Sequence, residues 1–576
     1  MLLEKAFPFM KWMKKYDKKD FFSDFVAGLT VAVILIPQSM AYAMIAGLPP
    51  IYGLYAGFLG VAVASLWGSS PQLATGPVAL VSFLTMTSLM TIAKPESPEF
   101  IALAIMLAII VGIIQLSMGI FKLGFIMNFI SHSVVVGFSN AAAIIIATSQ
   151  VPSLLGIKIE QHEEVFKTFY DIIINLVNTN IPTLIVGIIA IILILVFKKI
   201  HKLFPAALIV LIIGIITTYK FGLNDMGVSI IKDIPAGLPK FSLPTISLDN
   251  IHNMIGKGLI ISIIGFMEAY AIAKSISTKT KQKLDVNQEL IGQGLANITS
   301  GFLKGYPISG SFSRSAVNFS AGARTGMSSV FTVLFVGVAL LFLTETLYYL
   351  PKAVLAGIVI VAVSGLINVK EFKHLYKMNR TDGIVAITTF AFAFIMKPDY
   401  AIFVGIILSL ILFLYKTITP RINEISKEEK TQRFKNIEKY ELKICPQIMF
   451  MKPERSLYFA NAETILNKIQ ERVKSRKDNL KYLVIDFESI NYCDVSAIDV
   501  LKVFIEDLKE INIEVYFSNV TGKIVTTIKH SELKFMSDEG RILEGKKEVI
   551  EKLFPLLDVK FCKGCPNKIF NECKNV

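Results

Sequence analysis

The stretch Gly301 to Gly326, GFLKGYPISGSFSRSAVNFSAGARTG, gathers small flexible residues around the cation Arg314, with hydroxyls at Ser309, Ser311, Ser313 and Ser315. Apolar runs long enough to cross a bilayer flank it on both sides. Irregular backbone survives at membrane depth only where it is buried in protein or lines a wet cavity, because every unpaired N–H there is costly. The stretch therefore reads as a loop that delivers a helix N-terminus. Gly310 allows close approach, Ser311 can cap, and the first-turn amides present about half a positive charge. Anions are the natural ligand of such an end. The plainer alternative is a re-entrant loop that carries only a helix cap.

A second break of the same kind lies in SSPQLATGPVALVSFL, where Pro71, Gly76 and Pro77 interrupt an apolar run before a helix expected to start near Pro77, capped by Thr75 or Gly76. Leu73 to Val78 and Pro307 to Phe312 share one plan: extended polar segment, hydroxyl, glycine, helix. Corresponding interruptions in two halves of a chain point to a transporter site built from inverted repeats. Two further polar features sit inside spans. Gln38 and Tyr42 are one turn apart after Pro37, which is expected to interrupt its helix, and they must face the bundle or a cavity. Glu268 stands alone in GLIISIIGFMEAYAIAKSIS; such a carboxylate is costly by roughly 2.5 kcal/mol or more, so it is functional by default, as a proton acceptor or a cation ligand, with Arg314 as a candidate partner. The stripe Gly265, Ala269, Ala273 and Ser277 should pack elsewhere. Plainer accounts remain open for these groups: an interhelical hydrogen bond for Gln38 and Tyr42, and a simple ion pair for Glu268.

The elements that must position these groups follow from composition. The chain of 576 residues is 53% hydrophobic and only 18% charged, and its mean hydropathy is +0.58, which defines a polytopic membrane protein. Its net charge of +14 is carried by lysines at membrane flanks and in the tail, where it orients spans; it does not indicate nucleic acid. Lys5, Lys11, Lys14, Lys15, Lys18 and Lys19 precede the first span with no signal-peptide h-region, so that end should be cytoplasmic.

Candidate spans fall near 24–46, 51–68, 77–93, 100–120, 125–149, 181–197 and 204–220, then near 258–277, 287–303, 312–322, 326–346, 352–368, 382–396 and 399–417. Phe221 to Gly256, with its IPAGLPKFSLPTIS, should connect the halves along the membrane surface. The even count returns the C-terminus to the cytoplasm.

The expected domains are a cytoplasmic segment 1–23, a transport domain 24–420, a solvated linker 421–440, an α/β domain 441–553 and a cysteine-containing tail 554–576. In the α/β domain, Ser456 to Phe459 reads as a strand and Asn461 as the cap of a helix Ala462 to Lys474. Tyr482 to Phe487, Ser496 to Lys509 and Glu514 to Ser518 read as a right-handed βαβ unit. Asp494 to Ser496 supplies a helix cap that is needed anyway, with a phosphorylatable switch at Ser496 as the alternative. Five cysteines, none inside a span and three of them in the last fifteen residues, argue against an extracellular disulfide framework. Cys562, Cys565 and Cys573 read C-x2-C-x7-C, three ligands of a zinc or iron–sulfur site without an evident fourth, so free thiols are expected and neither metal nor cofactor is assigned. No nucleophile and base set suggests an enzyme.

PPIYGLYAGF, ATGPVAL, GFMEAYAIAKSIS, NQELIGQGLANITSGF, GSFSRSAVNFSAGART, LYFANAE and DVSAID, in that order, resemble the sulfate permease (SulP) family of anion transporters over about Lys11 to Leu553. The resemblance implies a polytopic α-helical fold of fourteen spans in two inverted seven-span repeats, a cytoplasmic STAS domain and a homodimer. It maps the anion site onto the opposed N-termini at Gly76, Pro77 and Val78 and at Ser311, Phe312 and Ser313, with Gln38 and Tyr42 as first-span contacts and Glu268 as the acidic span-eight position. Sodium-coupled members carry a hydroxyl one turn after that acid, whereas Ile272 stands here. Phosphorylation of Ser496 is not implied, since Ala497 replaces the glycine or serine of phosphorylated relatives. The expected function is proton-coupled uptake of an inorganic anion, sulfate first, by alternating access in the cell (inner) membrane with both termini cytoplasmic. Alternatives are bicarbonate or chloride as substrate, an exchanger of the same family, and a membrane anion sensor signalling through the STAS domain.

Overall fold

The structure is a computed structural model and describes residues 7–129, 131–159, 165–200, 205–232, 237–242, 248–396, 398–476 and 478–575. Lys5 and much of the IPAGLPKFSLPTIS connection lie outside the described residues. The described residues form two compact units, divided between Ser409 and Leu410.

Each of the fourteen expected stretches carries a helix. They are α1 (Lys18–Ile45), the pair α2 (Pro50–Ala56) and α3 (Leu59–Trp67), α4 (Ala79–Leu89), α5 (Pro98–Ile120), α6 (His132–Leu155), α7 (Ile181–Ile200) and α8 (Ala206–Phe221) in the first half. The second half holds α9 (Leu248–Thr280), α10 (Val286–Phe302), α11 (Phe312–Ser320), α12 (Met327–Phe342), α13 (Lys352–Ser364), α14 (Arg380–Ile395) and α15 (Pro398–Ile418). Eight apolar helical stretches of the described residues are long enough to cross a membrane, whereas α4 and α11, the third span of each half, are short. Each is short because an extended residue pair precedes it: β1 (Thr75–Gly76) and β2 (Ser309–Gly310).

Helix α1 begins earlier than the apolar pattern suggests because Asp17 closes a capping box with Asp20. Pro37 does not interrupt it. The helix continues through Pro37 to Ile45, which corrects the expected break. A membrane helix tolerates one missing donor where neighbouring helices re-satisfy the freed groups. Two buried carboxylates fasten loops to helices. Asp24 accepts from the Arg324 and Thr325 amides at 2.7 and 3.1 Å and from the Thr325 hydroxyl at 2.5 Å. Glu289 accepts from the Ser69 and Ser70 amides at 2.8 and 3.0 Å. Gly53 of α2 crosses α1 so closely that a Cβ would sit 1.9 Å from the Ser39 carbonyl oxygen, so only glycine fits.

The second unit contains a six-stranded sheet of β3 (Ile422–Lys427), β4 (Phe434–Asn436), β5 (Ile448–Pro453), β6 (Tyr482–Asp486), β7 (Glu514–Ser518) and β8 (Ile542–Leu543). The order is β4-β3-β5-β6-β7-β8; β3 is antiparallel to both its neighbours and the rest are parallel. Helices α16 (Ala462–Lys474), α17 (Val495–Glu510), α18 (Gly522–Lys529), α19 (Lys546–Leu553) and α20 (Val559–Gly564) accompany it, and α17 completes the expected βαβ unit between β6 and β7.

Two expectations differ from this structure. Residues 421–440 are no solvated linker: they hold the β3–β4 hairpin, in which buried Glu424 is held by both Arg476 terminal nitrogens at 2.5 and 2.6 Å. Charges at the edge of a sheet give that strand the composition of a linker. Ser456 to Phe459 forms only one bridge, Leu457 to Cys493, and the strand lies earlier at β5. Asn461 sits at the α16 N-cap, but its side chain is spent on that turn, accepting from the Tyr458 amide and donating to the Ser456 carbonyl.

Candidate functional site

The two breaks meet. Thr75 pairs with Gly310 and Gly76 with Ser309, antiparallel, and the Ser311 amide extends the ladder to the Ala74 carbonyl at 2.9 Å. Antiparallel pairing of the segments that feed α4 and α11 joins the two half-helix N-termini at one place, each preceded by extended backbone.

The pairing is locked from several sides. Ser315 Oγ accepts from the Ala74 amide at 2.8 Å. Ser309 Oγ donates to the Gly265 carbonyl of α9 at 2.6 Å, and Gly310 lies against Ala269. The small-residue stripe of α9 therefore packs on the crossing itself and not elsewhere, because extended backbone needs a smooth face beside it. From α10, Asn297 exchanges two hydrogen bonds with the Ile308 backbone, at 2.8 and 3.0 Å, and Gln293 donates to the Thr75 hydroxyl at 2.9 Å. Gln115 of α5 accepts from Asn297 and donates to the Ser262 carbonyl.

Helix α11 starts at Phe312 as expected, with Ser311 as N-cap accepting from the Arg314 amide at 3.4 Å. Helix α4 starts at Ala79, two residues later than expected, with Val78 as an N-cap that offers no side-chain oxygen. Its leading amides thus have no side-chain cap, which leaves their partial positive charge to whatever lies ahead. Gly76 has φ of +144°, a conformation L side chains rarely adopt, and a Cβ there would stand 3.2 Å from Arg314 Nη2.

Among the described residues, Arg314 is the largest fully buried side chain. Its Nη1 donates to Gln38 Oε1 at 3.3 Å, while Nε and Nη2 have no hydrogen-bond partner. Tyr42, Tyr306 and Glu268 lie within electrostatic reach of the guanidinium. The expected Arg314–Glu268 pair is replaced by the Gln38 bond, and Glu268 Oε2 is itself unpartnered. The structure thus brings Gln38, Tyr42, Gly76, Glu268 and Arg314 together around the two helix ends. Pro77 and Val78 are buried beside them. Ser313 lies on the open side of α11 with Phe312, which is 63% exposed. Ser496 is exposed on α17, two residues after Asp494, the N-cap that accepts from the Ala497 amide.

Sequence reasoning missed Tyr306, fully buried, whose hydroxyl is 3.0 Å from Ser82 Oγ of α4, and the Gln115–Gln293–Asn297 network. The signal was available: Glu289, Gln293 and Asn297 recur one turn apart on one face of a helix inside the membrane domain, and an inward stripe of that kind must be satisfied by something.

Crossed half-helices, buried cation and inward polar groups in a multi-pass helical bundle define the class as a membrane transporter of anions. The sulfate permease family pattern matches residues 21–389, and the STAS domain pattern matches residues 439–543. Sulfate transporter 4.1, chloroplastic, of Arabidopsis thaliana is 34% identical over 548 residues, which cover 92% of this chain and 80% of the relative. High affinity sulfate transporter 2 of Stylosanthes hamata is 29% identical over 94% of this chain and 85% of its own length. Among solved structures, the murine Solute Carrier 26 family member A9 anion transporter in the inward-facing state superposes with a TM-score of 0.89 at 22% identity, covering 95% of this chain and 94% of that one. The transmembrane domain of the cyanobacterial bicarbonate transporter BicA gives 0.59 at 23% identity, over 69% of this chain and 98% of that one. The chain belongs to the sulfate permease family and is a transporter with a STAS domain, not an enzyme.

Proposed function

We propose that the protein is a secondary active transporter of an inorganic anion, sulfate first, driven by the proton gradient and working by alternating access. The observation that carries this reading is Arg314, wholly buried beside Gly76 at the crossing of two half-helices, with two guanidinium nitrogens unpartnered. A buried cation with free donors is stabilised by an oxyanion, and two converging helix N-termini add to its field. Gln38 holds the guanidinium in place, and Tyr42 with the leading amides of α4 and α11 completes the anion's surroundings. Sulfate is favoured over other oxyanions by the plant relatives, which are named for it.

Proton coupling is assigned to Glu268, which reaches Arg314 electrostatically without bonding to it. A carboxylate that is charged when the site is empty offsets Arg314 there, and by taking up a proton it leaves that role to the anion when the anion is bound. Ile272, one turn on, is buried against Leu73 and Ala269 and offers no oxygen to sodium. We assign both termini to the cytoplasm of a cell membrane and a homodimer as the working assembly. Uptake of labelled sulfate and bicarbonate into proteoliposomes, with pH and sodium gradients imposed separately, tests the proposal. Sulfate accumulation driven by external acid is expected; accumulation that follows sodium and ignores pH would overturn the coupling.

A further inference from the structure

Four of the five cysteines converge in the second unit. Cys445 stands in the loop before β5, Cys562 in the last turn of α20, Cys565 at that helix's C-cap and Cys573 in the closing turn of the chain. All four are free thiols and line one small pocket of about 20 Å³. The C-x2-C-x7-C run is three ligands long in sequence, and the fold brings the missing fourth from ahead of the first parallel strand.

Gln447 Nε2 donates to Cys562 Sγ at 3.3 Å. A donor placed on sulfur is the outer support of a metal–thiolate site. The tail is already seated for this role: Asn567 Nδ2 donates to the Ile444 carbonyl at 2.9 Å, beside Cys445, and Phe570 is buried under the sheet.

We propose that Cys445, Cys562, Cys565 and Cys573 form a tetrathiolate site for a single zinc ion that clamps the C-terminal tail to the strand-bearing core. Four soft thiolates with tetrahedral demand are the ligand set of structural zinc. A pocket of about 20 Å³ is close to the space of one small sphere, which suits one ion and not a cluster of several iron and sulfide atoms. Among the described residues no three such groups yet stand at metal-ligand spacing. Binding therefore draws in Cys565 to Asn571, which carries no helix or strand, until the sulfurs reach about 2.3 Å from the metal.

The test uses the full chain in detergent, reduced and stripped of metal, titrated with Co²⁺ and then Zn²⁺. One equivalent of Co²⁺ should give thiolate-to-cobalt charge-transfer and tetrahedral d–d bands, one equivalent of Zn²⁺ should abolish them, and the melting temperature of the zinc form should exceed that of the stripped form. Cys445→Ser and Cys565→Ser should each lose the tetrathiolate spectrum. Cys493→Ser should keep it, since Cys493 lies in the opposite apolar core. Hydrogen exchange across β6 and β7 confirms that each variant is folded; Cys565→Ser, at a half-exposed position, removes a ligand with the least disturbance to packing. Absence of cobalt bands in the wild-type chain, bands that survive in Cys445→Ser, or iron–sulfur absorption in anaerobically purified protein would overturn the proposal.

Discussion

Arg314 is bonded through one terminal nitrogen to Gln38 and through no other side-chain nitrogen. Charge-assisted hydrogen bonds contribute about 1.5–3 kcal/mol each, so removing the guanidinium should weaken anion binding by at least one. Arg314→Gln is expected to raise the sulfate Kd by roughly 10- to 100-fold in calorimetry; an unchanged Kd would place the anion elsewhere. Glu268→Gln keeps the shape of the side chain but cannot exchange a proton. Uphill sulfate uptake driven by external acid should vanish while exchange of internal for external sulfate continues, and proton-driven accumulation in the variant would remove Glu268 from the coupling. Both residues were legible in the sequence because a charge inside an apolar run has few reasons to be there. Their mutual relation was not: Gln38, from the first span, takes the bond to the guanidinium, and only the folded bundle places it next to Arg314.

At the scale of elements, the spans and both helix breaks were readable from apolar runs and from Pro and Gly punctuation. What the sequence hid was how the breaks are held. The Ser311 amide, which looked free to face an anion, is used by the Ala74 carbonyl, so the donors left to the site belong to residues farther into the helices. The β3–β4 hairpin was hidden because edge strands and linkers share a charged composition, and Pro37 misled because membrane helices absorb a proline that a soluble helix does not. In the soluble sheet, Lys452 and Lys546 donate to Glu488 at 2.8 and 3.0 Å and hold its carboxyl down to about 2 from 4.5. A depressed carboxylate contributes stability above its unfolded value, and that contribution is lost as pH falls from about 4.5 towards 2. The Glu488 side chain is 55% exposed, so the effect should be under about 1 kcal/mol. Hydrogen exchange of β6 and β7 should show protection falling across that window, and Glu488→Gln should flatten the fall; an unaltered profile would remove the two lysines as the cause.

For the whole molecule, the division of labour follows from where the polar groups are satisfied. Every residue placed around the crossing lies before Ser320, and the groups that lock it come from α5, α9 and α10. A chain ending at Pro420 should therefore bind sulfate within about threefold of the full-length Kd, a change of under about 1 kcal/mol, while its transport rate or assembly changes. A folded truncated chain without sulfate binding would refute the separation.

The central claim, an anion held at the β1–β2 crossing by Arg314 and two helix ends, is tested most directly by locating the anion itself. Selenate is a close mimic of sulfate with an anomalous signal, so diffraction from crystals grown with selenate at the selenium edge shows where it sits. The account predicts one strong peak within hydrogen-bonding distance of Arg314 Nε or Nη2 and of the leading amides of α4 and α11. A selenate peak that is strong and reproducible but lies away from Arg314 and both helix ends would contradict it.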